Sequence, residues 1–401
     1  MLRMSVSEEE LEYLARAERQ LRFALGGAER TFFDIARLCK GLYPTVVSKL
    51  LEGLSGVVLG SSHECFRTIE PAPSSSSLSS LEGNPTLCSW YFTEATCERV
   101  AALRDWSDLR IAFLGTPRLY EHFARKINAR RLTLLDLDRL VIEHLESTTP
   151  SSRMSDLIEY DVQTEVPEHL RSLFDCVFFD PPWYPEHYST WLARAAQLAP
   201  NGVIMFTLFP SLTRPAAEIE RVSILAELRN SARLITTISS FLEYEVPTFE
   251  RAELEACDIT PIEPWKVADL VLLEPARDAA VMDIPIKPFV TPSWREVDIG
   301  SLRLFIDPGR GAGTAGCLLM PLSDGSIILR SPSRRDPRRK EANVLSSRGH
   351  AAVTSRPDEL VLVLKKVRDN LESGHAISEA TNISAIDPES RAVLLRFLGI
   401  Q

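Results

Sequence analysis

Phe174-Asp175-Cys176-Val177-Phe178-Phe179-Asp180-Pro181-Pro182-Trp183-Tyr184 runs a short apolar segment into an acid, two prolines and two aromatics. Cys176 to Phe179 is apolar throughout, the pattern of a strand buried on both faces of a parallel sheet. Asp180 then falls at the carboxyl end of that strand, where open α/β sheets hold their ligands. Each proline fixes φ at about −65° and removes a backbone donor, which leaves the carbonyls of Asp180 and Pro181 to accept hydrogen bonds from elsewhere. A planar amine is a fitting donor. Trp183 and Tyr184 offer rings that stack on a base or lie against a cation. The plainer reading is a strand that ends in a Pro-Pro turn with its aromatics in the core.

Upstream, Leu109-Arg110-Ile111-Ala112-Phe113-Leu114 reads as a buried strand ending at Gly115-Thr116-Pro117, followed by a helix from Arg118 to Lys126. Leu132 to Asp138 reads as the next strand, closing on the acids Asp136 and Asp138. Strand, glycine turn, helix, strand and acid, in that order, open a nucleotide-binding doubly wound sheet in which the acid accepts from ribose hydroxyls. Asp136 follows Gly115 by 21 residues, against an expected spacing of about 20. One glycine stands where G-x-G-x-x-G would make a pyrophosphate cradle, so the turn suits a nucleoside ligand without phosphate, such as S-adenosylmethionine. Ile158 to Val162 reads as a third strand with Asp161 as the acid for the adenine amino group; Asp156 and Glu159 are the runners-up.

Downstream, Tyr188 to Leu198 reads as a helix, Val203 to Phe209 as a buried strand, Ala217 to Leu228 as a helix, and Ile235 to Ser240 and Val267 to Leu273 as strands. That rhythm predicts an α/β, Rossmann-like domain with a mostly parallel sheet over 87–275. Before it, Ser7 with Glu10 caps a helix to Leu25; helices over Phe32 to Cys39 and Thr45 to Leu54 follow at helix-turn-helix spacing, with 56–59 and 66–69 as a wing. Residues 1–70 are therefore predicted to be a helical, winged-helix-like domain for DNA reading, dimerisation or substrate gating. Val46 to Leu54 offers chiefly Lys49 to a nucleic acid. The Ser/Pro-rich stretch 71–86 reads as a linker. Residues 276–401 read as an α+β extension: a hairpin around Asp324-Gly325, an Arg-rich loop, and helices at Asp358 to Glu372 and Pro388 to Leu398.

Composition narrows the function classes. The 401 residues are 45% hydrophobic and 25% charged, as in ordinary globular proteins. No apolar run approaches the roughly 20 residues that span a bilayer, and residues 1–10 lack a signal core, so a cytoplasmic protein is expected. Seven scattered cysteines and seven scattered histidines show neither disulfide framework nor metal spacing, so no metal is expected. A net charge of −10 disfavours nucleic-acid binding in general. Arg334, Arg335, Arg338 and Arg339, flanked by Arg330 and Lys340, nevertheless form a local basic run whose alternatives are a nucleic-acid arm and a solvated loop.

Leu109 to Gly115, Asp136 and Asp138, and Asp180-Pro181-Pro182-Trp183 together resemble a class I S-adenosylmethionine-dependent N-methyltransferase; D-P-P-W is the tetrad of the adenine-N6 methyltransferases. The layout is also similar to the branched-chain polyamine synthase family, which joins a winged-helix-like domain to a Rossmann domain with a D-P-P-aromatic loop. Tyr91-Phe92-Thr93-Glu94-Ala95-Thr96, Tyr160-Asp161, Val166-Pro167 and Phe174-Asp175 carry that second likeness. The resemblance spans roughly residues 30–210. It departs at Gly115-Thr116-Pro117-Arg118, where the synthases carry an acid-rich turn for their cationic substrate.

The resemblance implies S-adenosylmethionine as cofactor, with Leu114, Gly115 and Thr116 along its backbone approach, Asp136 or Asp138 on the ribose and Asp161 on the adenine; Arg118, where the chain departs from the synthases, is placed by its position beside the turn to pair with the cofactor carboxylate. It implies an amine-bearing acceptor held by Asp180 and the Pro181 carbonyl, with Pro182, Trp183 and Tyr184 completing the loop. The expected activity is methyl transfer to an amino nitrogen, adenine N6 of a nucleic acid among the acceptors. Aminopropyl transfer to a polyamine and a non-catalytic S-adenosyl-ligand-binding module are the alternatives. A homodimer through residues 1–70 is a further expectation.

Overall fold

The computed structural model describes residues 7–26, 30–54, 76–149, 155–229, 232–261, 264–275, 286, 289, 293–310, 318–329 and 337–399. They divide into two compact units.

The first unit comprises Met1–Ser79, Tyr91–Glu245 and Ile262–Phe289. Its centre is a seven-stranded sheet of β1 (Arg110–Leu114), β2 (Arg131–Asp136), β3 (Ser155–Glu159), β4 (Cys176–Phe179), β5 (Val203–Leu208), β6 (Ala232–Glu243) and β7 (Val267–Pro275), in the order 3-2-1-4-5-7-6. β1 to β5 run parallel, and β7 lies antiparallel between β5 and β6. The Rossmann-like α/β expectation holds. Chain order reverses between β1 and β4, so the switch point, where such sheets open a crevice for ligands, lies between Gly115 and Asp180.

Register is set at the other end of these two strands. Asp175 accepts from the Arg110 backbone N–H (2.9 Å) and from its guanidinium (2.8 and 3.0 Å), while Asp175 N–H donates to Arg110 O. This clamp pairs Leu114 with Phe179. It brings the residues that follow them, Gly115 and Asp180, to the same edge.

Eight helices of this unit follow in chain order: α1 (Glu8–Leu25), α2 (Phe32–Leu38), α3 (Pro44–Gly53), α4 (Glu94–Ala101), α5 (Pro117–Lys126), α6 (Arg139–Thr148), α7 (Pro185–Leu198) and α8 (Ala217–Arg229). α1 starts where Ser7 Oγ accepts from Glu10 N–H, and it buries Tyr13, Ala17, Leu21 and Ala24 along one stripe. Thr31 and Asp34 cap α2 reciprocally. The α2–α3 turn packs on the loop after β5. Lys40 O accepts from Leu212 N–H, and a Cβ on Gly41, at φ +88°, would lie 2.7 Å from Thr213 Oγ1. The proposed wing, 56–59 and 66–69, lies outside the described residues.

Three readings change. Residues 155–159 form the third strand, three residues earlier than expected, because Asp156 is held by Arg131 and Thr133 of β2; Tyr160 and Asp161 follow the strand. Asp138 does not end β2 but starts α6, a helix that the sequence reading passed over although Val141, Ile142 and Leu145 give it a buried face. Residues 77–80 of the expected linker form a 3₁₀ turn with Leu78 buried, and Ser77 N–H donates to Glu121 Oε1 at 2.7 Å.

The second unit comprises Ser80–Trp90, Val246–Pro261 and Val290–Gln401. It holds α9 (Thr248–Glu255), the antiparallel sheet β8 (Arg295–Ile299), β9 (Leu302–Ile306), β10 (Val344–Ser346) and β11 (Ala351–Ala352), and helices α10 (Pro337–Glu341), α11 (Pro357–Glu372), α12 (Ile377–Ala380) and α13 (Pro388–Phe397). Leu304, Leu360, Leu364, Leu394 and Phe397 share its core. The extension is α+β, and Gly325 turns at φ +77° where the hairpin is expected, but among the described residues the flanking segments form no ladder with each other: Met320 bridges Val353 and Ile328 bridges His350. Arg330, Arg334 and Arg335 lie outside the described residues. Arg338 pairs with Asp324 at 3.5 Å and Arg339 donates to Pro85 O at 2.8 Å, so this part of the basic run has local partners. Among the described residues no helix is long and apolar enough to cross a membrane.

Candidate active site

Four carboxyl-terminal strand ends meet at the switch point of the first unit. Leu114 of β1 pairs with Leu135 of β2 on one side and Phe179 of β4 on the other, and Phe179 pairs with Phe206 of β5. The next residues, Gly115, Asp136, Asp180 and Thr207, therefore line one edge. Burial is deepest just below it, where Leu114, Leu135, Phe179 and Phe206 are 0–2% exposed.

Gly115 is required twice over. Its φ of +64° lies in the left-handed region, and a Cβ there would sit 2.6 Å from the Trp191 ring of α7 and 3.8 Å from the Asp180 carbonyl oxygen. The glycine turn and the Asp180 loop are thus immediate neighbours. Thr116 opens α5, yet its hydroxyl is buried and has no hydrogen-bond partner among the described residues. An orphaned buried hydroxyl carries a desolvation cost that a ligand hydrogen bond removes. That feature fits a nucleoside cofactor at this turn. Thr116→Val should stabilise the free protein by about 0.5–1 kcal/mol and weaken S-adenosylhomocysteine binding. Thermal melts with and without ligand read both effects, and a loss of free-protein stability would show the hydroxyl to be satisfied.

Asp136 Oδ1 accepts from Asp138 N–H at 2.8 Å. Burial pushes its carboxyl up to about 7, against the lowering effect of that bond, and the neighbouring Asp138 carboxyl adds to the rise. Asp161 sits in the turn after β3, half-buried, with Oδ1 accepting from Gln163 N–H at 2.9 Å. Asp156 points elsewhere, to Arg131. Glu159 pairs in register with Asp136.

Arg118 requires a correction. It is 1% exposed, with Nη2 donating to Glu245 Oε1 at 2.8 Å and Nη1 to Ser79 Oγ at 3.0 Å. A buried guanidinium must be paired, and these partners take the charge that the sequence reading gave to the cofactor carboxylate. Arg118 therefore no longer separates methyl from aminopropyl transfer.

Asp180 is gripped from several elements. Thr207 Oγ1 donates to its Oδ1 at 2.5 Å, and the polar groups of Tyr244 and Trp183 lie near enough to favour its charged form. Burial pushes its pKa up to about 6, the Thr207 hydrogen bond, the Lys266 charge and the nearby Tyr244 and Trp183 polar groups pulling the other way. Tyr184 N–H donates to Pro182 O at 2.7 Å, so the Pro182 carbonyl closes the turn and the Pro181 carbonyl does not. Lys266 Nζ lies 4.3 Å from the Trp183 ring centroid and 5.3 Å from that of Tyr244. Tyr184 caps α7 with the Arg214 guanidinium 5.0 Å from its ring.

Thr207, Trp191, Tyr244 and Lys266 were not among the residues read from the sequence. Tyr244 and Lys266 meet because Tyr244 N–H donates to Lys266 O at the ends of the antiparallel strands β6 and β7. Phe92, in the Tyr91-Phe92-Thr93 stretch, packs 4.9 Å from Tyr244 and 5.9 Å from Phe178, so that stretch braces the site from beneath.

Residues 86–246 match the model of the probable N6-adenine methyltransferase family. The branched-chain polyamine synthase from Thermus thermophilus, solved with N4-aminopropylspermidine and 5′-methylthioadenosine, superposes with a TM-score of 0.51 at 18% identity, over 70% of this chain and 91% of that one. An rRNA methylase from Streptococcus thermophilus aligns at 11% identity over 46% of this chain and 95% of that one, with a TM-score of 0.30. No curated protein matches the chain. The family match bears out the expected S-adenosylmethionine-dependent N-methyltransferase class, and the superposition on the synthase bears out the fold.

Proposed function

Starting from a methyltransferase domain that uses S-adenosylmethionine, we propose that this chain methylates a neutral amino nitrogen, with adenine N6 of a nucleic acid as the leading acceptor. The observation that carries the reading is Asp180, set at the sheet's switch point beside the Gly115 turn and oriented by Thr207, Tyr244 and Trp183. Gly115 and Thr116, with Leu114 behind them, are proposed to line the cofactor, Asp136 with Asp138 to hold its ribose, and Asp161 its adenine.

S-adenosylmethionine supplies a methyl group already activated by its sulfonium. What remains for the protein is positioning. The Asp180 carboxylate and the Pro181 carbonyl accept the two protons of the amino group and turn its lone pair toward the cofactor side. Asp180 also stands ready to receive the proton that nitrogen gives up. One face of Trp183 is covered by Lys266, so any base stacks on the other face or on Tyr184.

The test is incubation with methyl-tritiated S-adenosylmethionine and separate RNA, DNA, protein and polyamine fractions. Label is expected on an amino nitrogen. Because protonated Asp180 cannot accept, kcat/KM should rise with pH through about 6 and level off above it. Aminopropyl transfer from the decarboxylated cofactor to a polyamine would overturn the reading. So would cofactor binding without transfer to any fraction, the outcome expected of a non-catalytic module.

A further inference from the structure

We infer that Lys266 selects the acceptor by charge: with Trp183 and Tyr244 it forms a cationic wall beside Asp180 that admits a neutral amino group and rejects an ammonium group or polyamine. The inference rests on Asp180 being the residue that holds the acceptor nitrogen.

The geometry is specific. The Lys266 ammonium lies against the rings of Trp183 and Tyr244, which meet edge to face at 5.7 Å and 74°. The polar atoms of both side chains also lie near enough to Asp180 to favour its charged form. The cation is therefore one side chain away from the acid along two separate routes. Backbone pairing at the β6–β7 ends holds it there, since Tyr244 N–H donates to Lys266 O at 3.1 Å.

The charge balance follows from the groups facing Asp180. The residue after β4 is Asp180 itself, and the residue before β7 is Lys266. The phenols of Tyr244, just past β6, and Tyr188, on α7, are both pushed well above their ordinary range by burial and then by the Asp180 charge, so both are neutral. Thr207 and Trp183 add uncharged donors. Arg214 and Arg221 lie near enough to lower the Tyr188 pKa, but each is paired with a carboxylate, Glu220 and Asp269 respectively, so that side adds no surplus negative charge either. A polyamine acceptor needs surplus negative charge, whereas here one carboxylate already faces one ammonium. An exocyclic amino group on a base is neutral and meets no such opposition.

Lys266→Met and Lys266→Arg test the proposal in the S-adenosylhomocysteine complex, without turnover. Asp180 titration is followed by isotope-edited infrared spectroscopy, with Asp180→Asn identifying its band, and spermidine binding by calorimetry. Lys266→Met should raise the Asp180 midpoint by about one pH unit and tighten spermidine binding about tenfold. Lys266→Arg keeps the charge and should match the wild type in both. An unshifted midpoint or unchanged spermidine affinity in Lys266→Met, or a Lys266→Arg protein that behaves like Lys266→Met, overturns the inference. Those outcomes leave the proposed methyl transfer standing if Asp180→Asn is inactive; an active Asp180→Asn enzyme removes that reading instead.

Discussion

Asp180→Asn is expected to lower kcat by about 10²–10³-fold, the cost of losing one preorganised polar contact to the reacting group, while leaving S-adenosylhomocysteine affinity unchanged. Asn is nearly isosteric and its Oδ1 still accepts from Thr207, so the Thr207 contact and the β4–β5 pairing survive. What is lost is the acceptor: an amide NH₂ would point donors at the donors of the substrate amine. Burial also works against the carboxylate in the folded state. Its pKa of about 6 lies above the ordinary 3.8, so the folded protein binds more protons than the unfolded chain between those values, and this contribution to stability falls as pH rises across that window. Asp180→Asn removes the penalty, and at pH 8 the variant should melt at or above the wild-type temperature. A variant that is both inactive and less stable at pH 8 would place Asp180 in the structural framework and not in the chemistry.

Gly115→Ala carries the largest expected stability effect. A left-handed φ costs an L-residue about 1–2 kcal/mol. The new methyl also enters the space of the Trp191 ring at 2.6 Å, and overpacking of this kind costs about 1–3 kcal/mol more. The sum, about 2–5 kcal/mol, should appear as a lowered denaturation midpoint together with loss of cofactor binding, because the turn cannot shift without moving the Asp180 loop. The two costs separate in a double variant. Trp191→Leu in the Gly115→Ala background relieves the steric part and leaves the φ part, so recovery should be partial. Full recovery would mean that the left-handed conformation costs nothing at this position, and no recovery that Trp191 is not what the methyl meets.

Much of the fold was legible. β1, β4 and β5 are buried on both faces, and such strands write themselves as unbroken apolar runs: Ile111 to Leu114, Cys176 to Phe179, Val203 to Phe206. β3 has only one strand beside it and is half-exposed, so its polar Ser155 and Asp156 disguised its start. In the second unit, Arg295–Ile299 and Leu302–Ile306 pair across Gly300-Ser301, a two-residue hairpin signal that was readable and went unread.

The sequence by itself determined the proposed acceptor loop and the glycine turn, because Asp180-Pro181-Pro182-Trp183 and Gly115 act through backbone constraints that are local and carry their residue types openly. Tertiary structure alone decided who shares the site with them. Thr207, Tyr244 and Lys266 lie in or next to strand ends 27 to 86 residues beyond Asp180, and only the 4-5-7-6 half of the sheet order sets those strand ends side by side. Arg118 shows the converse. Its sequence position beside the glycine turn suggested a ligand, and the packing of α5 gave it Glu245 instead, since a buried guanidinium goes to whichever carboxylate the fold brings within reach.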